Sequence, residues 1–358
     1  MAKLDKDRFQ KELAIQYCLA RGIAPFVEVV IPSASDLTDS VEVLTDIDVL
    51  GISFNNDGTI SRTIFDCKTS NKLSPISRAF WAAGLKQYTH ASEAFVILKN
   101  PAARNHRLSA LRLAVDLHDE SSFIQLGRTF DPNFQNDICY QSRIDRWQKL
   151  EDCYAQNPWC KQLLEILRTT ATISTEPWSA FRRIIAELRA IKGNFDPDKA
   201  SHIAIFYDVM VSVFVLWSVL ARDIRRFYEP TMNKEVFEKT LRYYLWGGKE
   251  SYQIRQQMAD KASDGRTVEL PAWSKLVQFS ALVLDSPQSL TQCIYVCKEL
   301  SLRNSNYPSP QHDAEIRKYI HNNNRVRQFT MKLSEYLTEA CTLPREVSQK
   351  VEYELSIF

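Results

Sequence analysis

The chain has 358 residues, of which 45% are apolar and 25% charged, with a formal net charge of +2. This is globular rather than disordered composition, long enough for two domains, and so nearly charge-balanced that any nucleic-acid affinity must come from a local basic face. Eight cysteines, at 18, 67, 139, 153, 160, 293, 297 and 341, form no C-x-x-C pair and no zinc-ligand spacing with the six histidines, which points to scattered thiols in a reducing cytosol.

The amino terminus, "MAKLDKDRFQKEL", is charged and lacks the apolar core of a secretory signal. Apolar side chains at helical spacing predict a helix from about Lys6 to Arg21, stopped by Gly22. "APFVEVVIP" at 24–32 is a β-rich run closed by Pro32, and "SASDLTDS" after it reads as a loop. "VEVLTDIDVLGISF" and "TISRTIFDCK" read as two strands joined at the "NNDG" turn, a hairpin. "SPISRAFWAAGLKQYTHASE" opens with a Ser-Pro helix start and is apolar all round, which implies burial on more than one side. "AFVILKN" at 94–100 is a short buried strand; "RLSALRLAVDLHD" and "SSFIQLG" add a peripheral helix and strand, and "DPNFQND" at 131–137 marks a boundary. From 138 onward the segments read as helices separated by Pro, Gly or Asn breaks, with no repeat of fixed period. Among them the run "IAIFYDVMVSVFVLWSVLA", 203–221, approaches the length of a membrane span but carries Asp208, and is expected to be a buried core helix.

The informative chemistry is in the hairpin. A strand period of two puts Asp46 and Asp48 on one face, and Ile64, Asp66 and Lys68 on one face of the returning strand. Three acids and an ammonium on adjacent strands are costly unless a positive group sits between them. Oxygen ligands from neighbouring strands suit Mg²⁺, which polarises a phosphoryl oxygen and lowers the pKa of bound water. Taken alone, D-x-K is most often an exposed same-face pair of little consequence.

The order helix, strand, hairpin, helix, strand, with "DIDVLG" and "FDCK" on the hairpin, resembles the PD-(D/E)XK nuclease superfamily over about residues 6–100. The resemblance implies an α/β restriction-endonuclease-like core, a mixed sheet flanked by helices, in residues 1–130, followed by a mainly α-helical domain at 138–358. It makes Asp48 a metal ligand with Asp46 as runner-up, Asp66 the second ligand and Lys68 the catalytic lysine. The first-helix glutamate would be Glu12, with Glu28 a weaker candidate, and Gln87 resembles the glutamine that several branches carry on the following helix. The proline that precedes the family's aspartate is missing. The implied activity is Mg²⁺-dependent DNA endonuclease, with Mn²⁺ as a substitute and RNA not excluded, cytoplasmic, in prokaryotic restriction or phage and mobile-element defence. A junction resolvase or repair nuclease would share the site. The helical domain would bind substrate, a protein partner or a second protomer. The competing expectation is a non-catalytic DNA-binding or interaction subunit that keeps the fold.

Other stretches carry less. "LWGGKES" at 245–251 lacks the earlier glycine of a phosphate loop, Cys293 and Cys297 are spaced for packing, and His312 and His321 have no metal-binding pattern. Basic and aromatic residues interleave in "RDIRRFYEP" at 222–230 and "KTLRYYLWGGK" at 239–249, and "HNNNRVRQ" at 321–328 is basic. Such stretches serve either phosphate contact with base stacking or an ordinary amphipathic helix.

Overall fold

The computed structural model describes residues 4, 6–33, 42–55, 59–70, 73–169, 172–229, 231–262 and 268–358. The chain forms two compact units: residues 1–55, 59–156 and 302–315 in the first, and 157–301 with 316–358 in the second. The stretch 131–137, read from sequence as the boundary, thus falls inside the first unit, which continues through the helix after it.

The first unit opens with α1 (Arg8–Ala20), followed by β1 (Ala24–Pro32), β2 (Val43–Phe54) and β3 (Ile60–Lys68). Then come α2 (Pro75–Tyr88), β4 (Glu93–Leu98), α3 (Arg104–Arg112), β5 (Asp116–Asp119), α4 (Glu120–Phe130) and α5 (Ile144–Gln156). The five strands lie in sequence order in one mixed sheet, antiparallel from β1 to β3 and parallel from β3 to β5. Both parallel steps are made through helices, α2 and α3, as a parallel crossover requires. The β2–β3 hairpin is present, paired from Val49↔Phe65 to Phe54↔Ile60. Its Asn56–Gly58 turn and most of the 33–40 loop lie outside the described residues.

Two layers of helix cover the sheet. On one side α1 and α4 meet it through Tyr17, Phe65, Phe95 and Phe123, whose rings pack edge-on, tilted or stacked at 5.2–6.4 Å; well-oriented aromatic pairs add about 0.5–1.5 kcal/mol each beyond their burial. Gly51 on β2 makes the approach of α1 close: a Cβ there would sit 3.0 Å from Cys18 Sγ and 2.8 Å from Ile23 Cγ2. On the other side α2 packs on β3, β4 and β5, with Ala79, Ala82 and Leu85 its buried residues. Phe80, Trp81 and Tyr88 stay exposed, so α2 is buried along one stripe and not all round.

"SSFIQLG", read from sequence as a strand, is helix α4. Asp119 caps it, accepting from Ser122 N–H at 3.0 Å while Ser122 Oγ returns to the Asp119 backbone. That reciprocal cap fixes a helix start where the apolar pattern alone was too short to decide.

The second unit is helical: α6 (Lys161–Thr169), α7 (Pro177–Ala190), α8 (Ala200–Arg225), α9 (Lys234–Leu245), α10 (Lys249–Ala262), α11 (Trp273–Asp285), α12 (Ser289–Ser305), α13 (Pro310–Asn322), α14 (Asn324–Ala340) and α15 (Arg345–Ile357). Part of α12 and α13, Leu302–Glu315, counts with the first unit. Helix α8 is long and apolar enough to cross a membrane by length and composition, yet 83% of its apolar window is buried within the protein. Its Asp208 is ion-paired to Lys298 of α12. It is the core helix about which the unit packs. All eight cysteines are buried free thiols.

Candidate acidic site on the sheet

The site arises where the β1–β2 ladder skips a pair and the β2–β3 ladder stops. Between β1 and β2 the pairs run Val27↔Val49 and Val29↔Ile47, so Glu28 stands opposite Asp48 without pairing to it. Glu28 adopts φ +53°, a left-handed conformation rare for a side chain of this size and worth about 1–3 kcal/mol of strain. Between β2 and β3 the ladder ends at Val49↔Phe65, so the next register position sets Asp48 opposite Asp66. Glu28, Asp48 and Asp66 therefore form a row across three strands, each less than a tenth exposed.

A buried row of carboxylates needs compensation, and three cations supply it. Lys68 Nζ donates to Asp48 Oδ2 at 2.5 Å and lies 3.2 Å from Asp66 Oδ1. Cys67 N–H, freed from the ladder, donates to the same Asp48 oxygen at 2.8 Å. Lys11 of α1, 2% exposed, is paired to Glu28 and lies 3.8 Å from Asp48 Oδ1. Arg78 of α2 approaches Asp66 Oδ2 at 3.9 Å. Asp7, just before α1, accepts from Thr69 N–H and Thr69 Oγ1, both at 2.6 Å, and lies 3.9 Å from Lys68. This last set ties the start of α1 to the end of β3.

Charges here are shifted by burial and by each other. Burial pushes the Asp66 carboxyl up, against the opposing pull of Lys68; neither of its oxygens accepts a hydrogen bond among the described residues. Burial likewise raises Glu28, with Lys11 pulling the other way. Burial alone would lower Lys68, but the fields of Asp48 and Asp66 outweigh it and hold the ammonium well above its ordinary value. Lys11 is raised in the same way, its Glu28 bond overcoming desolvation.

The residues expected from sequence divide. Asp48, Asp66 and Lys68 are brought together. One oxygen each of Glu28, Asp46 and Asp48 lie within 4.8 Å of one another, so Asp46 and Asp48 are neighbours in one group rather than alternatives. Those three acids could hold a metal ion; Asp66 is not among them but lines a shallow recess with Asp46, Asp48, Trp81 and Leu85. Glu12 is elsewhere. Its carboxylate accepts from Arg143 Nη1 at 2.7 Å and from Ile144 N–H at 3.1 Å, serving the start of α5. It lies on the face of α1 turned toward α5, while Glu28 is the glutamate that stands beside Asp48. Gln87 is exposed, nine residues or about 13 Å along α2 from Arg78.

Lys11, Arg78 and Asp7 were not anticipated. The signal was present for two of them: Lys11 shares a helical face with Ala14 and Cys18, and Arg78 with Ala82 and Leu85. A lysine or arginine on a buried stripe needs a carboxylate partner. Comparison with family models, with curated proteins and with solved structures finds no match to this chain.

Proposed function

We propose that the first unit is a metal-dependent nuclease that hydrolyses DNA phosphodiester bonds, of the PD-(D/E)XK kind. The observation that carries the reading is Lys68, set at the end of β3 between Asp48 and Asp66, beside the Glu28–Asp46–Asp48 group. The order of helix, strands and helix around it, α1-β1-β2-β3-α2-β4, supports the same reading.

The donor set fits a hard divalent cation. Every candidate ligand atom is a carboxylate oxygen, the choice of Mg²⁺ and Mn²⁺. In this network of charged groups five acids, Asp7, Glu28, Asp46, Asp48 and Asp66, face three cations, Lys11, Lys68 and Arg78. With every group ionised that leaves an excess of two negative charges, the charge one such ion would balance. Glu28, Asp46 and Asp48 would hold the ion, and when bound it would polarise a phosphoryl oxygen and lower the pKa of attacking water.

The chain's own groups set the rest. Lys68 stays protonated at neutral pH, so its role is to donate a hydrogen bond to water or to a phosphoryl oxygen and to offset developing charge, not to remove a proton. Asp66 holds that ammonium from the other side. Arg78 sets a second cation beside Asp66, and the half-exposed Trp81 forms an apolar wall of the shallow recess. The setting that fits is cytoplasmic restriction or mobile-element defence, with the helical unit serving substrate, partner or self-association.

One observation favours a second reading. Lys11 neutralises Glu28 from within the protein, so the acids have internal counter-ions and the unit would stand as a non-catalytic DNA-binding or interaction module. Incubation of supercoiled, linear and single-stranded DNA with Mg²⁺, Mn²⁺ or EDTA separates the two. Cutting that requires the ion and is lost in Lys68→Arg supports the nuclease; no cutting of any substrate, with no Mn²⁺ bound, supports the module.

A further inference from the structure

The helical unit carries a cationic and aromatic cluster that its core does not require. Helix α9 ends at Leu245 with Trp246 as its cap, and Gly247 (φ +78°) and Gly248 (φ +116°) turn the chain straight into α10 at Lys249. Only glycine adopts that pair of angles without strain, and the turn brings α10 back past Trp246. Trp178 Nε1 packs against the turn, 3.1 Å from where a Cβ of Gly247 would be. Two arginines then meet on the indole of Trp246: the Arg182 guanidinium from α7 lies 4.7 Å from the ring centroid and that of Arg255 from α10 lies 5.0 Å from it.

Neither guanidinium forms an ion pair among the described residues. Arg182 Nη1 and Trp246 Nε1 are both shielded from solvent and have no hydrogen-bond acceptor among the described residues. Burial, and then the field of Arg255, push Arg182 below its ordinary value against the opposing pull of Glu176. Two like charges gathered on one ring, with two unused donors beside them, are a costly arrangement for folding alone. An anion would relieve it.

We infer that Arg182, Arg255 and Trp246 form a phosphate-binding and base-stacking site for single-stranded nucleic acid on the helical unit. The choice of polymer rests on the nuclease reading and on shape. An indole flanked by guanidinium forks, with the Trp178–Tyr244 ring pair 5.6 Å apart nearby, matches a chain that alternates phosphates with flat bases. An acidic peptide or a lipid headgroup supplies anions without flat faces.

The test is binding of a short fluorescein-labelled single-stranded DNA to the full chain in EDTA, followed by anisotropy and tryptophan quenching across a salt series. Cleavage plays no part in it, so it can succeed where the nuclease reading fails, and the reverse. Arg255 is exposed, so Arg255→Gln should fold as the parent does. It should bind roughly tenfold more weakly, with the slope of log affinity against log salt reduced by roughly 0.7. Arg182→Lys should retain the slope while losing affinity, because charge stays and the fork goes. Unchanged affinity and slope in Arg255→Gln and in a folded Arg182→Gln/Arg255→Gln double variant would overturn the assignment. So would failure of the parent to bind DNA, or arginine-dependent binding to phosphatidylserine vesicles without binding to DNA.

Discussion

Lys68 donates to Asp48 at 2.5 Å from the strand position three past the last paired rung of the β2–β3 ladder, so beyond that rung an ion pair links the two strands in place of backbone pairing. The same separation of strands frees Cys67 N–H for Asp48. Asp48 is thus held on one oxygen by an ammonium and a backbone amide. Removing the ammonium leaves a carboxylate that is 7% exposed without its counter-charge. Lys68→Ala should therefore cost about 3–5 kcal/mol of stability, read as a lowered denaturation midpoint. Lys68→Arg should keep most of that stability, which makes it the better variant for activity measurements.

Asp66 and Glu28 give the pH dependence. Burial raises both carboxyl pKa values in the folded protein, so the folded state binds more protons than the unfolded one as pH rises through and above the ordinary carboxylate range. Stability from these groups is greatest below that range and declines as pH climbs to the raised values. Asp66→Asn should accordingly raise the melting temperature at pH 7, and the gain should shrink as pH is lowered toward 4. For Lys68 and Lys11, also raised, the contribution is complete at neutral pH and is lost only in strong alkali.

Lys11 competes with any cation for Glu28. A unit charge about 4 Å away is worth about 4 kcal/mol near a protein surface before screening. Lys11→Gln should then tighten Mn²⁺ binding by at least about tenfold, measured by electron paramagnetic resonance or calorimetry. Unaltered affinity would mean that the ion does not bind at Glu28.

Gly51 links the fold to the site, since α1, which carries Lys11 and follows Asp7, rests on it. Gly51→Ala would press a methyl group against Ile23 and Cys18 and should cost about 1–3 kcal/mol. A thermal melt measures this directly.

Much of the first unit was legible because its signals are local. The Ser-Pro start of α2 and the two-residue period of β2 and β3 are written in neighbouring residues, and they placed Asp48, Asp66 and Lys68 correctly on one face. What was illegible depends on partners distant in sequence. By sequence Glu12 is the better candidate and Glu28 the weaker, and only Arg143, 131 residues away, shows that Glu12 is taken elsewhere. Glu28 was discounted for lying in a strand, yet its left-handed backbone and unpaired register are what bring it to Asp48. The capped start of α4 was missed because "SSFIQLG" was read without the Asp119 before it.

The exchange of Glu12 for Glu28 is also the sharpest test. Metal-dependent DNA cleavage should be compared in the parent, Glu28→Gln and Glu12→Gln, each checked for folding by a thermal melt. Glu28→Gln should lower cleavage by roughly 100-fold or more, the scale of removing one group that stabilises transition-state charge. Glu12→Gln should cleave within a few-fold of the parent while melting lower, having lost about 1–3 kcal/mol from its charged bonds to Arg143 and Ile144. Cleavage that survives Glu28→Gln, or a parent that cuts no substrate with Mg²⁺ or Mn²⁺, would contradict the assignment of the carboxylate group as a phosphodiester-cleaving site.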